Sequence, residues 1–139
     1  MKALKAIGII LVLVAIITAC QNEGELNYSR YYANGQAIYQ SNCQNCHGQN
    51  GEGLGELIPP LTDSVFLKTH RHELACFLHN GLKQTIVVKG KTYEGQAMPQ
   101  QNLSPIEAAE VITYVLNSFG NKAGVHDNAA VQKDLAGCK

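Results

Sequence analysis

The most regular pattern of apolar positions lies near the C-terminus. Seven apolar side chains recur there at the three- and four-residue spacing of one helix face: Ala108, Ala109, Val111, Ile112, Val115, Leu116 and Phe119. Ser104, Pro105 and Glu107 precede them in the order of an N-cap, a first helical position and a capping box. Gly120 follows as a stop signal. The pattern predicts an amphipathic helix that begins at Ser104, ends before Gly120 and packs against other elements.

Weaker patterns predict two further helices. One runs over about 31–42 and the other over about 64–80. Residues 62–64, Thr-Asp-Ser, offer three candidate N-caps for the second helix, and Gly81 is its stop signal.

The remaining segments predict loops and one short hairpin. Residues 48–60 hold four glycines and end in two prolines, which predicts a loop. The stretch "TIVVKGKTY" at 85–93 has two β-favouring runs on either side of Lys89 and Gly90, which predicts a small β-hairpin. The tail from 121 to 139 shows no regular period. The expected fold class is therefore all-α, with little strand.

The first twenty residues have the pattern of an export signal. Lys2 and Lys5 precede an uncharged run of 14 residues, 6–19, whereas a helix needs about 20 residues to span a bilayer. We therefore interpret 1–19 as a signal peptide. Its end, Ile-Thr-Ala-Cys, resembles the lipobox of bacterial lipoproteins, which implies that Cys20 is lipidated and that 20–30 is a polar tether. Cleavage by an ordinary signal peptidase, leaving a free Cys20, is the alternative.

The length of the chain indicates one domain, and its charge indicates which partners to expect. The chain has 139 residues and a formal net charge of 0, which becomes −2 when the leader with Lys2 and Lys5 is removed. No run of five like charges occurs, so a nucleic-acid partner is not expected. The residues from Cys20 onward suffice for one modest core.

The stretch "CQNCH" at 43–47 fits three chemistries: zinc binding, a redox dithiol or covalent haem attachment. In an exported protein, C-x-x-C followed by His is typical of haem attachment. A Cys3His zinc site would combine Cys43 and Cys46 with Cys76 and His79, but it leaves His47 unexplained. A thioredoxin-like dithiol requires a βαβ context, and the surroundings here are helix and loop.

Several motifs within 31–120 together resemble the class I cytochrome c family. Gly35 and Tyr39 are similar to the glycine and aromatic pair of the family's N-terminal helix, just upstream of "CQNCH". "IPPL" at 58–61 is similar to the segment whose proline carbonyl accepts the ring N–H of the proximal histidine. "YEGQAMP" at 93–99 is similar to the distal loop.

The C-terminal helix completes the resemblance. "LSPIEAAEVITYVLNSFGN" at 103–121 is similar to the family's last helix, which implies that Tyr114 faces the N-terminal helix near Gly35. The resemblance implies a fold of three to four helices around one covalent haem, with the cytochrome domain at 31–120 and a C-terminal tail at 121–139.

The resemblance also implies the residues that bind the haem on its proximal side. Cys43 and Cys46 would form the two thioethers with haem c, and His47 would be an axial ligand of the iron. The carbonyl of Pro59 or Pro60 would accept the ring N–H of His47 and fix its tautomer.

The resemblance of "YEGQAMP" to the family's distal loop implies that Met98 is the second axial ligand. It is the only methionine apart from Met1, and a Gly-Gln-Ala-Met-Pro loop is not typical of a core position. Tyr93 is a candidate for contact with a haem propionate, and simple packing is its alternative role. The rival axial ligands are the other four histidines: His70, His72, His79 and His126.

Cys76 and Cys138 depart from the minimal pattern of the family. They are either two unrelated thiols or a disulfide that joins the tail to the middle helix, and we favour the disulfide. An exported location permits it, and such a bridge contributes about 2 to 4 kcal/mol.

These observations predict a one-electron carrier rather than an enzyme, because two axial ligands leave no open position on the iron. The expected partners are redox proteins and, through the lipid anchor, a membrane, without a small-molecule substrate. The expected location is the periplasmic side of a bacterial inner or outer membrane. The alternatives are a cytochrome subunit of a larger oxidoreductase, an open-site haem sensor or enzyme, and the Cys3His zinc module.

Overall fold

Helices are the main secondary structure of the residues that the structure describes, and one short hairpin accompanies them. The structure is a computed structural model that describes residues 7, 8 and 10, 23–94 and 98–138. The rest of the proposed signal peptide, the proposed lipidation site Cys20 and residues 95–97 of the distal loop lie outside the described residues.

The described elements follow one another as six helices and two strands: α1 (Glu23–Asn42), α2 (Gln44–His47), α3 (Ser64–Thr69), α4 (Leu74–Asn80), β1 (Ile86–Val88), β2 (Lys91–Tyr93), α5 (Pro105–Leu116) and α6 (Asn128–Ala136). The mainly helical class and the hairpin are confirmed, and the described residues hold more helices than the three to four expected. No helix among them combines the length and the hydropathy that crossing a membrane requires.

The packing of α1 against α5 forms the centre of the fold. Gly35 lies against the backbone of α5, where a Cβ would overlap the Glu110 carbonyl and lie 2.8 Å from Tyr114 Cβ. Tyr114 therefore faces α1 at Gly35, and its ring packs 5.4 Å from that of Tyr39. Every position of α5 from 108 to 116 except Val115 is buried, so this helix is the core of the molecule.

The predicted start of α5 is correct, and its predicted end is not. The N–H of Ser104 donates to Glu107 Oε2 at 2.8 Å, as a capping box requires. The helix ends at Leu116, because the Asn117 amide donates to the Thr113 carbonyl at 2.7 Å and caps the last turn. Phe119 lies beyond the helix with a φ of 58° and packs its ring on Tyr39.

The first helix begins earlier than the predicted start near residue 31. The segment that we interpreted as a tether is helical from Glu23 onward. Glu23 and Glu25 lie in the first turn, where negative charges interact favourably with the helix dipole. Tyr28 and Tyr32, one turn apart, stack at 5.7 Å and support the extension.

The predicted helix over 64–80 is two helices separated by a turn at residues 70–73. Asp63 is the N-cap of α3, and its carboxylate accepts from the N–H groups of Val65 and Phe66. Arg71 explains the break, because it leaves the helical run to donate to the carbonyls of Ala123 and Val125. The local sequence pattern could not predict this break, because the contact joins segments that are far apart along the chain.

The tail was predicted to be irregular, and this prediction is wrong. It contains α6, whose N-cap Asp127 accepts from the Ala130 N–H at 2.8 Å. Val131 of α6 is fully buried. A disulfide joins Cys76 of α4 to Cys138, just after α6. The tail is therefore packed onto the domain rather than trailing from it.

The hairpin pairs β1 and β2 in antiparallel register, with Ile86 opposite Tyr93 and Val88 opposite Lys91. Lys89 and Gly90 form its turn with φ values of 50° and 74°, as a two-residue hairpin connection requires.

Candidate functional site

The end of α1 and the single turn α2 place the three chemical groups of "CQNCH" in the lining of a partly open cavity. The N–H of Cys43 donates to the Tyr39 carbonyl at 2.9 Å, and the N–H of His47 donates to the Cys43 carbonyl at 2.9 Å. Cys43 therefore lies at the junction of α1 and α2, and Cys46 and His47 follow on α2. The Tyr39 hydroxyl donates to the Gly48 carbonyl at 2.7 Å and holds the end of the turn.

The thiol of Cys43 lies in surroundings that oppose a thiolate. Burial, and then the neighbouring Cys46, raise the pKa of Cys43 to about 11. Redox-active dithiols need a lowered pKa, so the dithiol alternative has no support here.

His47 is held in one tautomer by the loop that follows it. Its Nδ1 lies 3.2 Å from the Pro59 carbonyl oxygen, which can only accept, so Nδ1 carries the proton. Burial lowers the pKa of His47, and the bond to Pro59 opposes that shift. The side chain is therefore a neutral imidazole whose Nε2 lone pair is available to a metal. Between the two candidate prolines, the structure brings Pro59 to His47; Pro60 lines the cavity.

Gly53 allows the loop to fold back on His47. Its N–H donates to the His47 carbonyl at 2.8 Å. A Cβ at this position would overlap the Ile58 carbonyl and lie 2.9 Å from the carbonyl carbon of Pro59. Since its φ is also +71°, only glycine fits here without strain.

Met98 lines another part of the same cavity. The N–H of Leu82 donates to the Met98 carbonyl at 3.0 Å, so Met98 is anchored just after α4. Its side chain packs against both apolar clusters of the protein, the one between the helices and the one of the hairpin. The sequence identified Gly81 only as a stop signal, but its missing Cβ also makes room for Met98, whose carbonyl would lie 2.7 Å from that atom.

The cavity is large and mostly apolar. Its volume is about 180 Å³, whereas one water needs about 10–15 Å³ and close-packed interiors leave few larger voids. Apolar side chains from three helices and the hairpin form most of its wall, among them Leu67, Leu78, Ile86, Val88, Val111 and Ile112. Together with two thiols, an imidazole and a thioether, this lining suits a haem.

Tyr93 lies at the edge of the cavity and is 5% exposed. Its hydroxyl makes a long hydrogen bond of 3.5 Å to the Gly55 carbonyl. The structure thus places Tyr93 beside the cavity, and its contact with a propionate stays a prediction.

The rival axial ligands lie elsewhere. Among the described residues that line the cavity, His47 is the one histidine. His79 is exposed, and His70 pairs with Glu73 at 3.1 Å. Cys76 is bonded to Cys138, which removes it from the Cys3His zinc alternative.

His72 and His126 lie with Asp134 between α4 and α6, with their ligand atoms within 4.8 Å of one another. This group does not suit a metal. Arg71 Nε donates to His126 Nδ1 at 2.9 Å, so Nε2 carries the ring proton and donates it to Asp134 at 2.7 Å. No lone pair of His126 is left for a metal, and the Arg71 charge opposes a cation. The network joins α6 to the rest of the fold.

Sequence reasoning missed Asn121 and Arg71. Both are polar residues that contact distant carbonyl groups, and no local spacing marks such contacts.

A family model and two curated relatives match this chain, and all three point to the same family. The family model described as cytochrome c matches residues 32–119. Two curated relatives, both described as cytochrome c-552 of Thermus thermophilus, are each 33% identical over 93 residues. The match covers 64% of this chain, 70% of the first relative and 62% of the second. The family model spans the two thiols, His47, Pro59 and Met98, whereas α6 lies beyond it.

Proposed function

The chain belongs to the cytochrome c family as a class I, single-haem domain, and from that premise we propose that it is a membrane-tethered carrier of single electrons. One covalently bound haem c is the cofactor that membership implies. Cys43 and Cys46 would hold it through thioether bonds, and His47 and Met98 would be the ligands of its iron. The observation that carries the proposal is that these four side chains line one apolar cavity.

Haem c supplies an iron that alternates between the ferric and ferrous states. The residues around the cavity set the reduction potential of this iron. Met98 as a ligand raises the reduction potential, and the apolar wall adds to the effect because it excludes water that would stabilise the ferric charge. The Pro59 carbonyl fixes the ring of His47, so little rearranges when the oxidation state changes.

The protein is a carrier and not an enzyme on this proposal. With His47 and Met98 as its two protein ligands, the haem iron would have no open coordination site for a substrate. Its partners are redox proteins that donate and accept the electron, through small and brief contacts. A place as a cytochrome subunit of a larger oxidoreductase is a variant of the same function.

The location follows from the N-terminal sequence. Lys2 and Lys5, the uncharged run 6–19 and the lipobox-like Ile-Thr-Ala-Cys support export and lipidation at Cys20. Acyl chains there hold the domain on the periplasmic side of a bacterial inner or outer membrane. Tethering raises the local concentration of the carrier near its membrane partners.

A visible spectrum tests the haem assignment. We expect protein produced with c-type maturation machinery to show sharp bands when reduced and a Met-to-iron charge-transfer band when oxidised. Met98→Ala should lose the charge-transfer band, whereas His79→Ala should keep it because His79 lies outside the cavity. A Met98→Ala protein that keeps the band would contradict the ligand assignment, and protein without covalent haem would contradict the function.

A fractionation experiment tests the location. Cys20→Ala should move the protein from the membrane fraction to the soluble periplasmic fraction without changing its spectrum. Equal distribution of both proteins would contradict the lipid anchor.

A further inference from the structure

The carbonyl that accepts the His47 ring N–H belongs to a segment with few anchors of its own. Pro59 and Pro60 have no N–H, so neither can hold the segment by donating a hydrogen bond. The next backbone donor is Leu61, whose N–H donates to the Gly51 carbonyl at 2.8 Å. On the other side of the prolines, Ile58 exchanges hydrogen bonds with Leu54 at 3.0 and 3.2 Å. The position of the Pro59 carbonyl therefore depends on this contact and on what holds Leu61.

Asn121 holds the other side of Leu61. It is 3% exposed, and its Nδ2 donates to the carbonyls of Leu61 at 2.8 Å and of Val115 at 3.0 Å. Its Oδ1 accepts from Ser64 Oγ at 2.7 Å. Because the two carbonyls can only accept, Nδ2 must face them and the amide has one orientation. One buried amide thus ties Leu61 to α5 and to the start of α3.

We propose that Asn121 is a positioning residue for His47, acting through Leu61 on the Pro59 carbonyl. The inference rests on the proposed role of His47 as an axial ligand. Asn121 lies two residues beyond the stretch that the family model matches.

Removal of the Asn121 amide should shift the reduction potential of the haem in a definite direction. A carbonyl that accepts from Nδ1–H makes the imidazole a more basic ligand, and a more basic ligand favours the ferric state. Removing the Asn121 amide leaves the Leu61 carbonyl without its partner and loosens the hydrogen bond from His47 to Pro59. The ligand becomes less basic, so the reduction potential rises and the ring N–H exchanges faster with solvent.

Asn117 is a matched control on the same end of α5. Its amide Nδ2 donates to the carbonyls of Thr113 and Gly124, and its Oδ1 accepts from the Gly124 N–H at 2.9 Å. Its side chain makes four hydrogen bonds and that of Asn121 makes three, but none of the four reaches the segment that holds Pro59. Asn117→Ala therefore reports the general cost of losing such an amide.

The experiment compares the haem-loaded wild type with Asn121→Ala and Asn117→Ala. At a fixed ambient potential, Asn121→Ala should change the ferric-to-ferrous ratio threefold to tenfold toward ferrous, which corresponds to a rise of up to about 59 mV for one electron. Exchange of the His47 Nδ1 proton, followed by NMR, should be at least tenfold faster. Asn117→Ala should change both quantities less than twofold.

Equal changes in the two variants would overturn the inference while leaving the proposed function intact. A wild type without the Met-to-iron band and covalent haem would overturn both. If Asn121→Ala does not fold, Ser64→Ala decides, because it removes one of the three hydrogen bonds that hold the Asn121 amide in place. Proton exchange at least twofold faster than in the wild type supports the inference, and unchanged exchange overturns it.

Discussion

Gly35 of α1 lies directly against the Glu110 carbonyl of α5, with no room for a Cβ between them. This contact sets the distance between the two helices that carry the site. The Tyr39 carbonyl, one turn further along α1, accepts from the N–H of Cys43, so the first thiol takes its position from the same helix. Glu110 is also held to α1 by its side chain, which accepts from Asn34 Nδ2 at 2.8 Å.

Gly35→Ala should destabilise the protein. The added methyl overlaps the Glu110 carbonyl and forces the helices apart, which costs about 3 kcal/mol when a packed core must move. Denaturant unfolding of the haem-loaded protein measures the change.

Gly24→Ala is the control on the same helix. A Cβ there has no neighbour within 4 Å, so the variant should gain about 0.5 to 1 kcal/mol from better helix propensity. Similar changes in the two variants would show that the α1–α5 contact is not the cause.

The Cys76–Cys138 disulfide should stabilise the fold without affecting the haem site. It closes a sequence separation of 62 residues, and replacing both cysteines by serine should lower the free energy of unfolding by about 2 to 4 kcal/mol. The visible spectrum should not change, because neither cysteine lines the cavity. Denatured, unreduced wild type should show no reactive thiol from this pair, and two such thiols would contradict the bridge.

The free energy of unfolding should fall in mild acid because of His126. Burial lowers its pKa, and Arg71 adds to this while Asp134 opposes it. Protonation would also break the bond from Arg71 Nε to His126 Nδ1. Because the native state binds the proton more weakly, this contribution is present above the unfolded pKa of about 6.5 and is lost as the pH falls below it toward the lower folded pKa.

Unfolding measured between pH 7.5 and pH 5 checks this contribution. His126→Gln should show a shallower loss of stability than the wild type over that range, whereas the exposed His79→Gln should follow the wild type. Parallel curves for all three proteins would assign the acid sensitivity to other groups.

The signals that could be read from the sequence are local ones. The cap and stripe of α5, the turn of the hairpin and the spacing of "CQNCH" each depend on residues within one element, and the structure contains all of them. "IPPL" also predicted a proline carbonyl for His47, although only the fold separates Pro59 from Pro60.

What the sequence did not reveal depends on contacts between distant segments. Arg71 interrupts a helical pattern because its partners lie more than fifty residues away. The tail forms α6 because it packs on α4 and α5, and its own apolar period is weak. Asn121 carries no local mark, since its partners Leu61 and Ser64 come to it only in the folded chain.

Gly81 should determine the position of the loop that carries Met98, because it has no side chain. Its φ is +71°, and a Cβ would lie 2.7 Å from the Met98 carbonyl and 2.9 Å from the Gln100 nitrogen. Gly90 has a similar φ of +74° with no neighbour within 4 Å, so Gly90→Ala carries only the backbone cost of about 1 to 2 kcal/mol. Gly81→Ala should lose about 1 to 3 kcal/mol more and weaken the Met-to-iron band, because the added methyl displaces the backbone that presents Met98. If both variants kept the wild-type band and lost equal stability, backbone strain alone would explain Gly81, and the close approach to Met98 would have no bearing on ligation.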